Sequence, residues 1–432
     1  MSTLSPSELQ HRIDHLLSLR ERWLTHRSVN DILASIDTVV ARFLDPQSRE
    51  YQEAEAILPK ETGLSTAMIR HVLPLIFQEY RAERLQTFLQ DELGDANALD
   101  TFVSRNGHTR KVFGPPLIIQ VLAGNIPGAG LDGIIFALLV KAATVVKASS
   151  TAPGLPSLFA RTLAEVDPDL GACVAVVTWQ GGNTSLEDVA FSRANFVIAS
   201  GSEQSLAAIR SRVHGQFIAY GHKISFALVT KESLTDAPTL ARLAAYDILL
   251  FDQQGCLSPQ LIYVEDGGAV SPREFAALLA QALAECEQQL PRGTIPPEAS
   301  ITIRRVRDES EWQALAGKDV VLHASPQGTA WTVIYDADPT FVPSSLYRTI
   351  RVKPLSSLSQ LHELLIPWRS YLEAVGVAAH GPRLVQCAEM LGHAGVSRIC
   401  PIGTMQLPPL SWRHGGRPRL ADLVRWVEVE GA

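Results

Sequence analysis

The chain has 432 residues, 46% of them hydrophobic and 19% charged, with a formal net charge of −7. That length exceeds one simple core and that apolar content argues against disorder, so two or three globular domains are expected. The acidic balance, with no basic block, argues against a nucleic-acid partner, and five scattered cysteines without a CxxC pair argue against a disulfide framework or a zinc site.

The first residues, Met1-Ser2-Thr3-Leu4-Ser5-Pro6, lack the basic and apolar regions of a signal peptide. Residues 131–146 are the most apolar stretch, but Asp132 and Lys141 interrupt it and it is too short to span a membrane. A cytoplasmic location is expected, where free thiols persist. Residues 1–95 read as a helical lead-in: Ser5-Pro6-Ser7-Glu8 is a start signal, Ile13, Leu16 and Leu17 keep helical spacing, and 67–93 is a second amphipathic region.

From about 115 the pattern alternates. Strands are expected at 117–122, 144–147, 173–178, 195–200, 216–219 and 224–229, with helices at 131–143, 155–166, 186–192 and 203–213. This order implies a mostly parallel sheet with helices on both faces, whose ligands bind at the carboxyl ends of the strands. No G-x-G-x-x-G is present, so an ordinary dinucleotide fingerprint is missing. A second α/β unit follows, with helices at 271–290 and 358–375 and strands at 320–323 and 332–335. The tail ends in an amphipathic stretch at 420–429.

Between a helix at 239–251 and an apolar strand run at 261–264 lies Asp252-Gln253-Gln254-Gly255-Cys256-Leu257-Ser258-Pro259-Gln260. Gly255 allows a sharp turn or a close approach, and Pro259 blocks helix continuation. A thiol on such a loop suits a covalent catalyst; read locally, a lone cysteine is more often a small buried hydrophobe.

Taken together, these turns resemble the aldehyde dehydrogenase superfamily over 115–265 and more loosely to the end. Asn125 in Gly124-Asn125-Ile126-Pro127 is similar to the W-N-F/Y-P turn, and Val145-Val146-Lys147-Ala148-Ser149-Ser150 to V-V-K-P-S-E. Ala199-Ser200-Gly201-Ser202 is similar to F-T-G-S, Gly221-His222-Lys223 to the end of E-L-G-G-K, and Gln254-Gly255-Cys256 to the G-Q-x-C nucleophile loop. Cys256-Leu257-Ser258-Pro259-Gln260 and the tail, residues 398–404 and 412–416, most resemble the fatty acyl-CoA reductases of bacterial luminescence.

The resemblance implies an aldehyde-dehydrogenase-like α/β fold. It would have a helical region at 1–95, a variant Rossmann dinucleotide-binding domain at 96–250, a catalytic domain at 251–400, and a tail at 401–432 that makes an oligomer or inter-domain contact. It implies that Cys256 attacks an acyl-CoA or acyl-carrier thioester, that Asn125 and the Cys256 N–H hold the oxyanion, and that a nicotinamide reduces the acyl-enzyme to a fatty aldehyde. The cofactor residues it implies are Leu122, Lys147, Ser149, Ser150, Gly201, Ser202, Tyr220 and Gly221. Ser150 replaces the Glu that repels a 2′-phosphate, which favours NADPH, with NADH as the alternative. Ala219 stands where hydrolytic members carry their base, and Ile134 where many carry a Lys. No water-activating carboxylate is therefore expected around the sulfur, unless Glu187 or Glu203 fills that role in a shifted register. The stretch 338–354, where the resemblance puts a second acidic residue for the nicotinamide ribose, carries no Glu. The implied partners are an acyltransferase or acyl-protein synthetase and further copies of the chain. The alternatives are an enzyme running oxidatively, with CoA or water as acceptor, and a non-catalytic subunit that presents acyl chains.

Overall fold

The computed structural model describes residues 4–430 apart from 106, 123–125 and 150–153. Two of the sequence-derived site residues, Asn125 and Ser150, lie outside the described residues. The chain forms two compact units, one of Met1–Thr62, His71–His222 and Pro409–Ala432, the other of Gly63–Arg70 and Lys223–Pro408.

The first unit opens with the expected helices. Pro6–Arg22 starts in a capping box, Ser5 accepting the Glu8 N–H while the Glu8 side chain reaches back. Leu9, Ile13 and Leu16 of this helix bury one face in a core shared with Leu117, Ile119, Val145, Val197 and Phe191. The unit's five-stranded sheet runs in the order Val174–Thr178, Ala143–Ala148, Leu117–Val121, Phe196–Ser200, Gln216–Tyr220, with every pair parallel. Leu117–Val121 comes first in the chain yet lies at the centre. The strand order therefore reverses between it and Phe196–Ser200, and their carboxyl ends frame the crevice where open α/β sheets take ligands. A separate antiparallel sheet joins Val103–Arg105, His108–Phe113 and Arg425–Val429. The expected amphipathic end at 420–429 is thus a short 3-10 turn and a strand.

The second unit is built on a seven-stranded sheet ordered Val320–Ala324, Thr332–Asp336, Thr349–Leu355, Pro259–Glu265, Ile224–Val229, Leu372–Ala378, Arg398–Pro401. All pairs are parallel except the first. Pro259–Glu265 and Ile224–Val229 are buried along their whole length, as expected of a parallel sheet covered on both faces. Its main stretch begins at Lys223 rather than near 250, because Ile224–Val229 pairs with Pro259–Glu265 and Leu372–Ala378 instead of extending the first sheet. The helix expected at 358–375 is also corrected. It stops at Leu365, Pro367 sits in a 3-10 turn, and Leu372–Ala378 is a buried strand. Among the described residues no helix is long and apolar enough to cross a membrane.

Candidate active site

In the second unit the thiol loop is held by a device that local sequence does not announce. The helix Ala237–Leu249 ends, and Phe251, Asp252 and Gln253 follow with φ of 55°, 51° and 63°. Leu346, Tyr347 and Arg348 form a matching left-handed run with φ of 63°, 52° and 64°. Left-handed backbone costs roughly 1–2 kcal/mol per non-glycine residue, so both runs need firm anchors. They anchor one another. Arg348, fully buried, donates from Nε to Asp252 Oδ1 at 2.9 Å and pairs with Glu287. Gln253 accepts the Thr349 N–H at 2.9 Å and donates to the carbonyls of Thr349 and Pro259 at 3.0 and 2.8 Å. Asp252 also accepts the Gly293 N–H at 3.0 Å.

Out of this brace rises a β-turn, closed by the Ser258 N–H donating to the Gly255 carbonyl at 3.0 Å, with Cys256 at its second position. Gly255 answers a steric need: a Cβ there would lie 2.5 Å from Gln406 Oε1. Gln406 in turn donates to Ser258 Oγ and to the carbonyl of Leu250 at 3.1 Å. Nearby, the Asp247 carboxylate accepts the Gly403 and Met405 N–H groups at 2.6 and 2.9 Å, and burial pushes it up to about 7. Ser225, at the start of its strand, donates to the Cys256 carbonyl at 2.8 Å and accepts the Ala374 N–H at 3.2 Å.

Of the five cysteines, all within the described residues, Cys256 is the exposed one. It is accessible from outside, yet the protein gathered around it limits how well water can solvate a thiolate. That burial is the main reason the thiol is pushed up to about 11, and the Glu373 carboxylate adds to it. The N–H groups of Cys256 and Leu257 and the Arg398 guanidinium act in the opposite direction. That glutamate stands on the strand Leu372–Ala378, with one carboxylate oxygen taken by the Ser397 hydroxyl, and is distinct from the water-activating base that Ala219 leads one not to expect. The strand's polar start hid it from sequence reasoning. Arg348, Asp252, Ser225 and Gln406 were missed because each acts through partners distant in sequence.

The first unit carries the other set of residues. Leu122 follows the central strand and donates its N–H to the Lys147 carbonyl at 3.0 Å. Lys147 is half-buried; burial lowers its ammonium, and the Glu187 carboxylate partly restores it. Glu187 also accepts the Gly182 N–H at 2.8 Å. Glu203 is exposed in the first turn of Glu203–Arg210, and His222 is exposed as well. Ser202 caps that helix by accepting the Ser205 N–H at 3.2 Å, and Gly201 donates to the Tyr220 carbonyl at 3.2 Å. This helix N-terminus follows the carboxyl end of Phe196–Ser200 and presents partial positive charge, as a pyrophosphate requires. Gly221 lies beside Leu206, with no severe crowding of an added Cβ. Tyr220 stacks on His414 with centroids 4.0 Å apart, and Trp412 lies against the other partner at 4.7 Å. The tail segment at 412–416 is thus a packed turn. A narrow cavity is lined by Leu122, Ile126, Pro127, Ser149 and, unforeseen from sequence, Glu61. Glu61 accepts the Gly154 N–H at 3.0 Å, and burial raises its carboxyl. Ile134 is fully buried, and Ala219 sits exposed on its strand.

A parallel sheet with a central strand-order reversal and a second sheet presenting a thiol define the class: this is the aldehyde dehydrogenase fold. Solved structures agree. Aldehyde dehydrogenase 21 from Physcomitrella patens, in complex with its product succinate, superposes with a TM-score of 0.74 at 14% identity, covering 99% of this chain and 90% of that one. The glyceraldehyde-3-phosphate dehydrogenase GapN from Methanocaldococcus jannaschii, complexed with NADP, gives 0.73 at 10% identity, covering 99% and 95%. The family is narrower. Residues 24–426 match the model of the acyl-CoA reductase (LuxC) family, and the chain belongs to that family. The long-chain acyl-protein thioester reductase of Photorhabdus laumondii is 30% identical over 364 residues, 80% of this chain and 70% of that protein. Its counterpart from Aliivibrio fischeri is 24% identical over 347 residues, 78% and 69%. The chain is accordingly an oxidoreductase of the acyl reductase type.

Proposed function

We propose that the chain reduces a long-chain fatty acyl thioester, carried by CoA or by a protein, to the fatty aldehyde with NADPH, through an acyl-enzyme on Cys256. The exposed thiol on a braced turn, in a chain of the acyl-CoA reductase family, carries this reading. In the first step Cys256 Sγ bonds to the acyl carbon, the thioester C–S bond breaks, and the thiol proton leaves with the departing thiolate. Thiol exchange between thioesters is near balance, so little driving force is required. The Cys256 N–H and the Asn125 amide hold the oxyanion. When bound, the nicotinamide supplies the hydride that the acyl carbon needs. The carbonyl then re-forms as the Cys256 C–S bond breaks, and the sulfur takes up a proton. Ala219 in place of a base leaves the acyl-enzyme resistant to water.

The strand-order reversal, the Ser202-capped helix and Lys147 fit a dinucleotide, with Leu122, Ser149, Ser150, Gly201, Tyr220 and Gly221 as its other neighbours. Residues 96–222 would supply most of that domain, and the stretch from Lys223 the thiol domain. Ser149, Ser150 and Lys147 favour the 2′-phosphate of NADPH. A second reading, NADH, is favoured by Glu61, whose carboxylate lines the same cavity as Ser149 and would repel that phosphate. The expected setting is the cytoplasm, with an acyltransferase or acyl-protein synthetase as acyl donor and a homo-oligomeric state.

The test is loss of NADPH absorbance on adding tetradecanoyl-CoA, with Cys256→Ala inert and no longer labelled by radioactive acyl-CoA. No oxidation with any acyl-CoA or acyl-protein, or full labelling of that variant, overturns the reading. NADH consumed in preference, and NADPH use restored by Glu61→Gln, would decide for the second cofactor reading.

A further inference from the structure

Lys223, Glu373 and Ser397 lie at neighbouring strand starts of the second unit, with Glu373 buried between the part-exposed Lys223 and Ser397. Glu373 is fully buried near the amino end of Leu372–Ala378. One of its carboxylate oxygens accepts the Ser397 hydroxyl at 2.8 Å, and the other lies 3.9 Å from the Lys223 ammonium. Lys223 also donates to the Ser370 carbonyl at 3.3 Å. The next residue, Ala374, donates its N–H to the Ser225 hydroxyl that grips the Cys256 carbonyl. A single hydroxyl thus ties the backbone beside the buried acid to the backbone of the nucleophile. The Arg398 guanidinium also acts on the thiol while binding the carbonyls of Met405 and Thr404, and the Asp247 carboxylate acts on Arg398.

A carboxylate in the interior is costly without a partner, and no step of the proposed reaction uses it. We propose that Glu373 is a positioning residue whose negative charge, balanced by Lys223, controls the ionisation of Cys256. The inference rests on Cys256 as the reactive thiol and adds the residues that govern it. An ionised Glu373 holds the resting thiol protonated, and Lys223 limits how strongly it does so. The two side chains therefore act on the thiol with opposite signs. The thiol is kept from idle oxidation and alkylation, and it loses its proton in the exchange itself, to the departing thiolate.

The test is the pH dependence of iodoacetamide alkylation at Cys256 in the full chain, read by mass spectrometry of the peptide that carries it, so that the other four cysteines do not contribute. Removing the charge in Glu373→Gln should displace the profile to lower pH and speed alkylation at pH 8 by roughly threefold or more, since each unit of thiol pKa is tenfold in thiolate. Lys223→Gln, which strips the balancing cation, should displace it upward, and Glu373→Asp should return it toward the parent. A packing role for either residue does not move the two profiles in opposite directions. Profiles that superimpose, or that move the same way in both variants, overturn the proposal; if Glu373→Gln does not fold, the upward shift in Lys223→Gln alone decides. Acylation by tetradecanoyl-CoA is followed separately. Shifted alkylation without acylation defeats the catalytic reading of Cys256 and leaves the role of Glu373 standing.

Discussion

The two units present their chemistry in different ways. In the first, the residues proposed to hold a dinucleotide stand on turns at strand ends, held by local contacts such as the Ser202 cap and the Gly201–Tyr220 hydrogen bond. In the second, the turn bearing Cys256 is over-determined: two left-handed runs about a hundred residues apart lock together beneath it, and Gln406 fills the space against Gly255. A ligand that comes and goes tolerates a surface made of short-range contacts. A nucleophile that must meet an acyl carbon in one geometry does not, because a displacement of about 1 Å can cost a hundredfold in rate. Buried Asp252, Gln253, Arg348 and Gln406 all support the turn of the proposed nucleophile.

That contrast can be broken most forcefully at Arg348. Arg348→Met leaves Asp252 buried without its counter-charge, and a loss of about 3–5 kcal/mol is expected in urea unfolding, together with slowed acylation of Cys256. Unchanged stability would mean that the brace carries no load. Asp247 gives the next largest effect and fixes its sign. Its carboxyl sits at about 7, above the ordinary 3.8. Between those values the folded chain keeps a proton that the unfolded chain has released, so stability falls as pH rises from about 4 to about 7 and is level below. The urea midpoint should follow that course, and Asp247→Asn should flatten it. Gly255→Ala pushes a methyl into Gln406 and should cost about 1–3 kcal/mol; Gln406→Ala in the same chain should recover part of it. Smallest is Ser202→Ala, where a lost cap is worth about 1 kcal/mol. Its stability effect should come with weaker NADPH binding by fluorescence titration and an unaltered rate of Cys256 acylation.

The same contrast explains what could be read from the chain. The run from Leu117 to Val229 was legible because its strands are mostly apolar, with isolated polar residues such as Gln120 and Lys147, and are separated by short polar turns. The strand Thr349–Leu355 was not, since it carries Arg351, Lys353 and Pro354, and Lys353 is tolerable inside because its ammonium meets the Asp336 carboxylate at 2.7 Å and the Asp338 carbonyl. The helix expected at 358–375 overruns into the strand Leu372–Ala378 because Glu373 and the preceding Tyr371 break its apolar run. The helices Pro297–Leu315 and Gly381–His393 went unread as well. Cys256 and the turn residues were visible as short strings. Asp252, Gln253 and Gln406 were only letters until their partners at 348, 349 and 258 came within reach.

The first unit is also discontinuous, and this bears on how the molecule is made. Its last strand, Arg425–Val429, pairs with His108–Phe113, and Glu92 accepts the N–H groups of Leu420 and Ala421 at 3.1 and 2.8 Å. During synthesis those partners reach the ribosome exit more than three hundred residues apart. The unit that begins with the amino terminus therefore finishes folding last, after nearly all of the thiol unit has left the tunnel, and until then its sheet edge at His108–Phe113 waits uncovered for a chaperone to shield.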